Sequence, residues 1–322
     1  MNSPRPASCA PAPAPAAAAT RADPAPATAG GGHPRGSLGP VGLVLAGGVS
    51  AQFGGALAVT LMTRAGALGV VSLRLATAAV VLLLFCRPRL RGHTRADWGT
   101  VVVFGAATAT MNGLFYEAVD RIPLGAAVTL EVLGPLALSV LASRRAVNLL
   151  WAALALAGVF LLGGGGFGEL DPVGAAFALG AGAMWAAYIV FSARAGQRFP
   201  QADGLALAMA VGAALFVPLG IAESGTDLLV PTTIALGAAV AVLSSVLPYT
   251  LEILALRHLP APTFAILMSL EPALAATAGF LVLDQSLTAA QALAVTLVVA
   301  ASMGAVRTQV GRRRAAGGKP DA

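Results

Sequence analysis

Four ionisable residues sit where the surrounding sequence calls for hydrocarbon. Glu131, Glu252 and Glu271 lie in apolar stretches long enough to cross a bilayer, and Arg74 lies in another with the opposite sign. A charged side chain at membrane depth costs about 3 kcal/mol even on insertion scales, so it normally faces a polar cavity or a partner. Three carboxylates and a guanidinium at that depth suit a chain that moves something polar across the membrane. A zwitterion fits: a glutamate can hold its ammonium, and an arginine or an opened helix N-terminus can hold its carboxylate. Arg74 serves equally well, on sequence, as that clamp or as a static partner for Glu131 or Glu271. Glu252 is nearer the end of its stretch, where a carboxylate can also reach water. A carboxyl group in a low-dielectric cavity keeps its proton to higher pH and loses it when hydrated. Exposed alternately to the two sides, such a group can exchange a proton for substrate.

The walls of a cavity are legible as residue pairs. Asn112 and Tyr116 are four apart and share one helical face, as do Trp185 and Tyr188, three apart. They offer hydrogen bonds and aromatic surface; a membrane-interface belt is the alternative for aromatic residues, and it suits Trp151 better than mid-stretch Trp185. Other chemistry is not signalled. Cys9 and Cys86 have no metal-ligand or disulfide spacing, and His33, His93 and His258 all fall outside the apolar stretches. No metal, cofactor or catalytic constellation is expected, and the chain is not read as an enzyme.

Composition requires the membrane. Hydrophobic residues make up 57%, charged residues 11%, and mean hydropathy is +0.81, whereas a soluble domain carries about 25% charged residues. The net charge of +6 resides in arginines placed between apolar runs, which reports membrane orientation and excludes a nucleic-acid partner. At about 20 apolar residues per span, the chain gives ten segments: 40–61, 66–86, 98–118, 122–142, 147–165, 172–193, 203–222, 232–254, 260–282 and 287–306. Seventeen Lys and Arg fall on one side of this alternation and two on the other. Positive charge collects in the cytoplasm, so both termini are expected there. The glycine run Gly163–Gly166 lacks the Gly-Lys-Ser/Thr ending of a phosphate loop and reads as a helix end.

Residues 1–38 alternate proline and alanine, then glycine; such a segment cannot bury a core and reads as a disordered cytoplasmic tail with no signal-peptide h-region. Residues 308–322 read as a basic cytoplasmic tail. Between them a five-helix unit occurs twice, over 39–166 and 167–307. Pro123 is followed twelve residues on by Pro135, near Glu131; Pro260 is followed twelve residues on by Pro272, beside Glu271. Pro135 and Pro272 are expected to break their helices, since a mid-helix proline frees a carbonyl one turn earlier. Five is odd, so the second unit must enter the membrane inverted. Inverted repeats with interrupted helices meeting at mid-membrane are a secondary-transporter architecture.

Several stretches resemble a known family. They are Met111-Asn112-Gly113-Leu114-Phe115-Tyr116, Ile122-Pro123-Leu124-Gly125 with Glu131 and Gly134-Pro135, and Ala178 to Ala183 with Trp185 and Tyr188. Further stretches are Leu247-Pro248-Tyr249-Thr250-Leu251-Glu252, Leu267 to Ala276 and Ala300 to Gly304. On these residues the chain resembles the drug/metabolite transporter superfamily, its ten-helix EamA-type members, and among them the bacterial threonine/homoserine exporters. The resemblance runs from about residue 40 to 307. It implies proton-linked efflux of small amino acids, threonine or homoserine in type, with export of other metabolites or toxic compounds as the alternative on the same scaffold. Nineteen arginines against one lysine suggest a GC-rich bacterial genome, hence the bacterial cytoplasmic membrane. The partners implied are a small-molecule substrate, protons and the bilayer; oligomeric state is not encoded legibly.

Overall fold

In hydrocarbon a backbone N–H or C=O has no water to bond, so a crossing segment must satisfy itself as a helix or close into a barrel. The computed structural model takes the first route throughout the described residues, which are 38–90, 92–143, 146–162, 170–199, 203–256, 264 and 267–317. The Pro/Ala-rich segment to residue 37, Gly163–Gly166, His33 and His258 lie outside them. The helices are α1 (Leu38–Cys86), α2 (Arg95–Val119), α3 (Leu124–Glu131), α4 (Leu133–Ser143), α5 (Ala146–Leu162), α6 (Pro172–Arg198) and α7 (Asp203–Ser224). A 3₁₀ turn (Gly225–Leu229) leads to α8 (Pro231–Ala241), a π-helical segment (Val242–Val246) and α9 (Leu247–Leu256); α10 (Glu271–Leu283) and α11 (Ala289–Gly317) follow. No strand occurs among the described residues. Five stretches are long and apolar enough to cross a membrane: Gly39–Cys86, Arg95–Val119, Pro172–Arg198, Asp203–Leu229 and Ala289–Arg307. The chain is a multi-pass membrane protein. The last helix continues beyond the apolar stretch through the basic residues to Gly317.

The first of these stretches consists of two helical arms. Gly66 has φ 60° and ψ 175°, a conformation open to glycine and strained for any residue with a Cβ. Ser50 on one arm donates to the Leu243 carbonyl, 2.7 Å, while Arg74 on the other donates to the Ser244 carbonyl, 3.4 Å. In a continuous helix residues 50 and 74 would be about 36 Å apart. They reach adjacent carbonyls, so the chain doubles back at Gly66. The end of α7 secures the break: Glu223 Oε2 accepts from the Gly69 amide, 3.0 Å, and the Ser224 hydroxyl donates to the Ala65 carbonyl. A carboxylate here meets the orphan amides and positive dipole end of the second arm.

At the opposite boundary Thr94 and Asp97 form a capping box on α2. Bonds from the Thr94 amide and hydroxyl, and then from Arg198, hold the Asp97 carboxyl below the usual carboxylate range. Arg198 ends α6 and pairs with Asp97 at 3.2 Å, tying α6 to α2. His93 belongs to this boundary, its ring 4.5 Å from that of Phe199. Inside, α1, α2, α3 and α10 share one core whose largest fully buried members include Tyr116, Leu61, Leu75, Leu124 and Leu130.

Candidate functional site

Three interruptions of helix converge on one cavity. Pro135 has no N–H to offer the Glu131 carbonyl, and the helix breaks at Val132, between α3 and α4. Pro272 cannot bond Met268; a turn at Ser269-Leu270 precedes α10, placing Glu271 and Pro272 in its first turn. The break thus falls just after the first glutamate and just before the second. Gly125 of α3 packs on Ala276 of α10, whose Cα a Cβ on Gly125 would approach to 2.8 Å. From that crossing Glu131 lies later in its helix and Glu271 earlier in its own. Both line the same cavity, so α3 and α10 run antiparallel and bring the two carboxylates together from broken helices.

The third interruption is the π-helical segment. Pro248 leaves the Ser244 carbonyl without its helical donor, and the wide turn displaces its neighbours, the Leu247 amide bonding Val242 instead. Ser50 and Arg74 take the freed carbonyls of Leu243 and Ser244. Arg74 also donates to the Ser245 hydroxyl, 3.4 Å, and the Tyr116 hydroxyl, 3.2 Å. These three bonds go to neutral groups. Among the described residues, Glu271 and Arg74 are charged neighbours of Glu131.

The cavity encloses about 560 Å³, within the range of small-molecule sites, about 300–1,000 Å³. Arg74, Asn112, Glu131, Trp185, Tyr188 and Glu271 all line it, as does Pro135. One expected lining residue stands elsewhere. Tyr116 is fully buried behind the wall and touches the site through Arg74; a shared helical face does not distinguish a lining residue from the one supporting it. Glu252 lies on α9 with its side chain outside the described residues. Pro272 is buried at the start of α10. Asn112 is fixed by its own amide donating to the Thr108 carbonyl, 2.8 Å, and the Tyr188 ring packs 5.3 Å from Phe104. Outside the site, Glu117 pairs with Arg121 at 2.6 Å.

Sequence reasoning passed over Ser244, Pro248, Ser269 and Ser302, which also line the cavity. For Pro248 the signal was present: counting back four residues, as for Pro135, leads to the Ser244 carbonyl. The serines carry no charge whose burial would mark them.

A largely apolar cavity that holds three charged side chains at helix breaks, in an apolar chain without strands among its described residues, defines a multi-pass membrane transporter. The chain belongs to the EamA-like transporter family, whose model matches residues 172–307. It is 43% identical over 261 residues to the threonine/homoserine exporter RhtA of Salmonella typhimurium (strain SL1344), spanning 80% of this chain and 88% of that one. It is 42% identical over 271 residues to the Escherichia coli (strain K12) protein of the same name, spanning 84% and 92%. A protein of solved crystal structure shares the fold, with TM-score 0.55 at 21% identity over 85% of this chain and 98% of that one.

Proposed function

We propose that the chain is a secondary active exporter of small amino acids, threonine and homoserine in type, driven by protons across a bacterial cytoplasmic membrane. One observation carries this reading: two carboxylates from antiparallel broken helices and one arginine bonded to neutral groups line a single cavity of about 560 Å³. The ammonium of a zwitterion pairs with Glu131 or Glu271, and its carboxylate with Arg74, whose planar fork suits carboxylate geometry. Trp185, Tyr188 and Asn112 enclose it. The relatives' printed names support the substrate class. Proton coupling rests on chemistry: two carboxylates sharing a low-dielectric cavity repel, and a substrate ammonium and a proton relieve that repulsion in alternation. Glu252, on the helix after the π segment, is a third candidate for coupling.

The architecture that goes with this function is ten spans in two inverted five-helix units, 39–166 and 167–307, with both termini cytoplasmic. The doubling-back at Gly66 and the antiparallel crossing of α3 and α10 support it, as does the arginine asymmetry. Everted membrane vesicles containing the protein should take up labelled threonine, faster when the lumen is acidic. Uptake indifferent to the gradient would remove proton coupling. Accumulation of cationic dyes without amino acids would favour a broad exporter of toxic compounds.

A further inference from the structure

The cavity occupies only one side of the breaks that flank α3 and α10. Along the first broken helix its lining runs from Glu131 on to Leu136, and along the second from Phe264 up to Glu271. Residues 124–130 and 272–283, all described, do not reach it. There the two helices close on each other instead. Every residue of α3 before Glu131 is buried, as are Pro272, Ala275, Ala276, Ala278 and Gly279 of α10. Gly125 meets the Ala276 backbone within this contact. Packing of that kind leaves no room for water, so a substrate leaving by this end has to part it.

A hydrogen bond crosses the seal at its far end. Pro123, before α3, provides no side-chain cap, so the first amides of the helix need partners from elsewhere. Leu124, fully buried, donates its amide to Gln285 Oε1, 3.0 Å. Asp284 turns the chain after α10 with φ 52°, uncommon for a residue with a Cβ, and the Gln285 amide donates to the Gly279 carbonyl, 3.1 Å. Gln285 Oε1 thereby lies across Gly279, 2.7 Å from where a Cβ would stand. A helix is usually capped from its own flank. This cap comes from 161 residues away, so it breaks when α3 and α10 separate, as a local cap would not. A neutral bond of this kind is worth about fivefold in an equilibrium, enough to bias a closed state without locking it. We infer that Gln285 is the latch of the gate at this end, its bond to Leu124 made while the seal is shut and broken each time the helices part. This rests on the export reading and extends it by naming what holds the exit closed.

The test uses the full chain in intact cells, with Cys9 and Cys86 replaced by serine and Val128→Cys as reporter. Val128 is 3% exposed and one turn from Leu124 towards Glu131, and cysteine is close to valine in volume, a swap that packing tolerates. An impermeant thiol reagent outside reaches it only when the seal parts. Thr226→Cys, run in parallel, shows that the reagent faces this end; if it reacts only in everted vesicles, the comparison is made there. Gln285→Ala should speed labelling of Val128→Cys by about fivefold, in protein that still exchanges threonine. Gln285→Glu places a carboxylate at the α3 N-terminus, where bond and helix dipole both strengthen the cap. It should slow labelling and threonine efflux by about twofold or more. A cap with no part in gating would instead lower the melting temperature of Gln285→Ala and leave labelling unchanged. Unchanged labelling in Gln285→Ala, labelling not slowed in Gln285→Glu, or a Val128→Cys protein that never reacts each overturns the latch. If Gln285→Ala does not reach the membrane, Gln285→Glu decides alone. Threonine transport with unaltered labelling overturns this assignment and leaves the export reading standing. If the wild type carries no amino acid at all, the export reading falls and takes this one with it.

Discussion

The backbone carbonyl of Glu131 rests against the α-carbon of Gly182, so close that a Cβ on Gly182 would come within 2.5 Å of it. The approach is mutual: a Cβ on Gly134 would collide with the Gly182 carbonyl. Pro135 frees the Glu131 carbonyl, and α6 covers it with the one residue that has no side chain. The stripe continuing from Gly182 along α6 brings Trp185 and Tyr188 to the cavity, so this backbone contact sets both wall and glutamate.

Because the obstructing atoms are backbone, neither side can yield by changing rotamer. Gly182→Ala and Gly134→Ala are expected to destabilise by about 1–3 kcal/mol or more, as overpacking does. Thermal unfolding in detergent measures this, with Gly42→Ala as control, since nothing lies within 4 Å of a Cβ there. A melting temperature for Gly182→Ala equal to that of the control would mean the helices are not in backbone contact.

Arg74 depends on bonds that can be removed singly. Tyr116→Phe deletes one hydroxyl from a buried side chain and leaves packing intact. It should raise the KM for threonine by about 2- to 10-fold, the range for one hydrogen bond to a charged group or less, with little change in protein level. Pro248→Ala returns an N–H that competes with Arg74 for the Ser244 carbonyl, and should act in the same direction. An unchanged KM in both variants would show that the guanidinium is positioned by something else.

The proposed topology is open to impermeant thiol reagents. Thr226, exposed in the turn after α7, and Arg89, exposed after α1, fall on opposite sides in the arginine-based assignment. With Cys9 and Cys86 replaced by serine, Thr226→Cys should label from outside intact cells and Arg89→Cys only after permeabilisation. The reverse pattern would invert the protein in the membrane.

What could be read from the sequence divides along a physical line. Glu131, Glu271 and Arg74 were legible because a charge in hydrocarbon is costly, so its presence demands a site. Pro135 and Pro272 were legible because proline removes a specific bond at a fixed offset. Tyr116 was misjudged as wall because two positions on one helical face differ only in which neighbours pack there. The π-helical segment was missed because hydrogen-bond register leaves no mark in composition. Gly182 and Gly134 looked like ordinary small residues, since close approach is a property of the partner helix. Ser302 sat in a run of small residues that reads as packing.

The glutamates decide the mechanism. Glu131 and Glu271 come from helices that cross antiparallel at Gly125 and Ala276 and share one cavity with Arg74. Glutamine keeps the size and a hydrogen-bonding head at either position and removes the proton. If the carboxylates only bridge packed helices, Glu271→Gln should export at near-normal rates, because shape and bonding survive. If they couple, Glu271→Gln should reach normal levels in the membrane and lose gradient-driven threonine uptake in everted vesicles by about 100-fold or more, the scale of a lost acid–base group. Exchange of labelled for unlabelled threonine, which needs no net proton movement, should persist where the other glutamate still holds the ammonium. The double variant should lose exchange as well, since neither of the two carboxylates lining the cavity remains to hold the ammonium. Wild-type uptake rates across pH 5–8 in both single variants would leave the pair a structural role only.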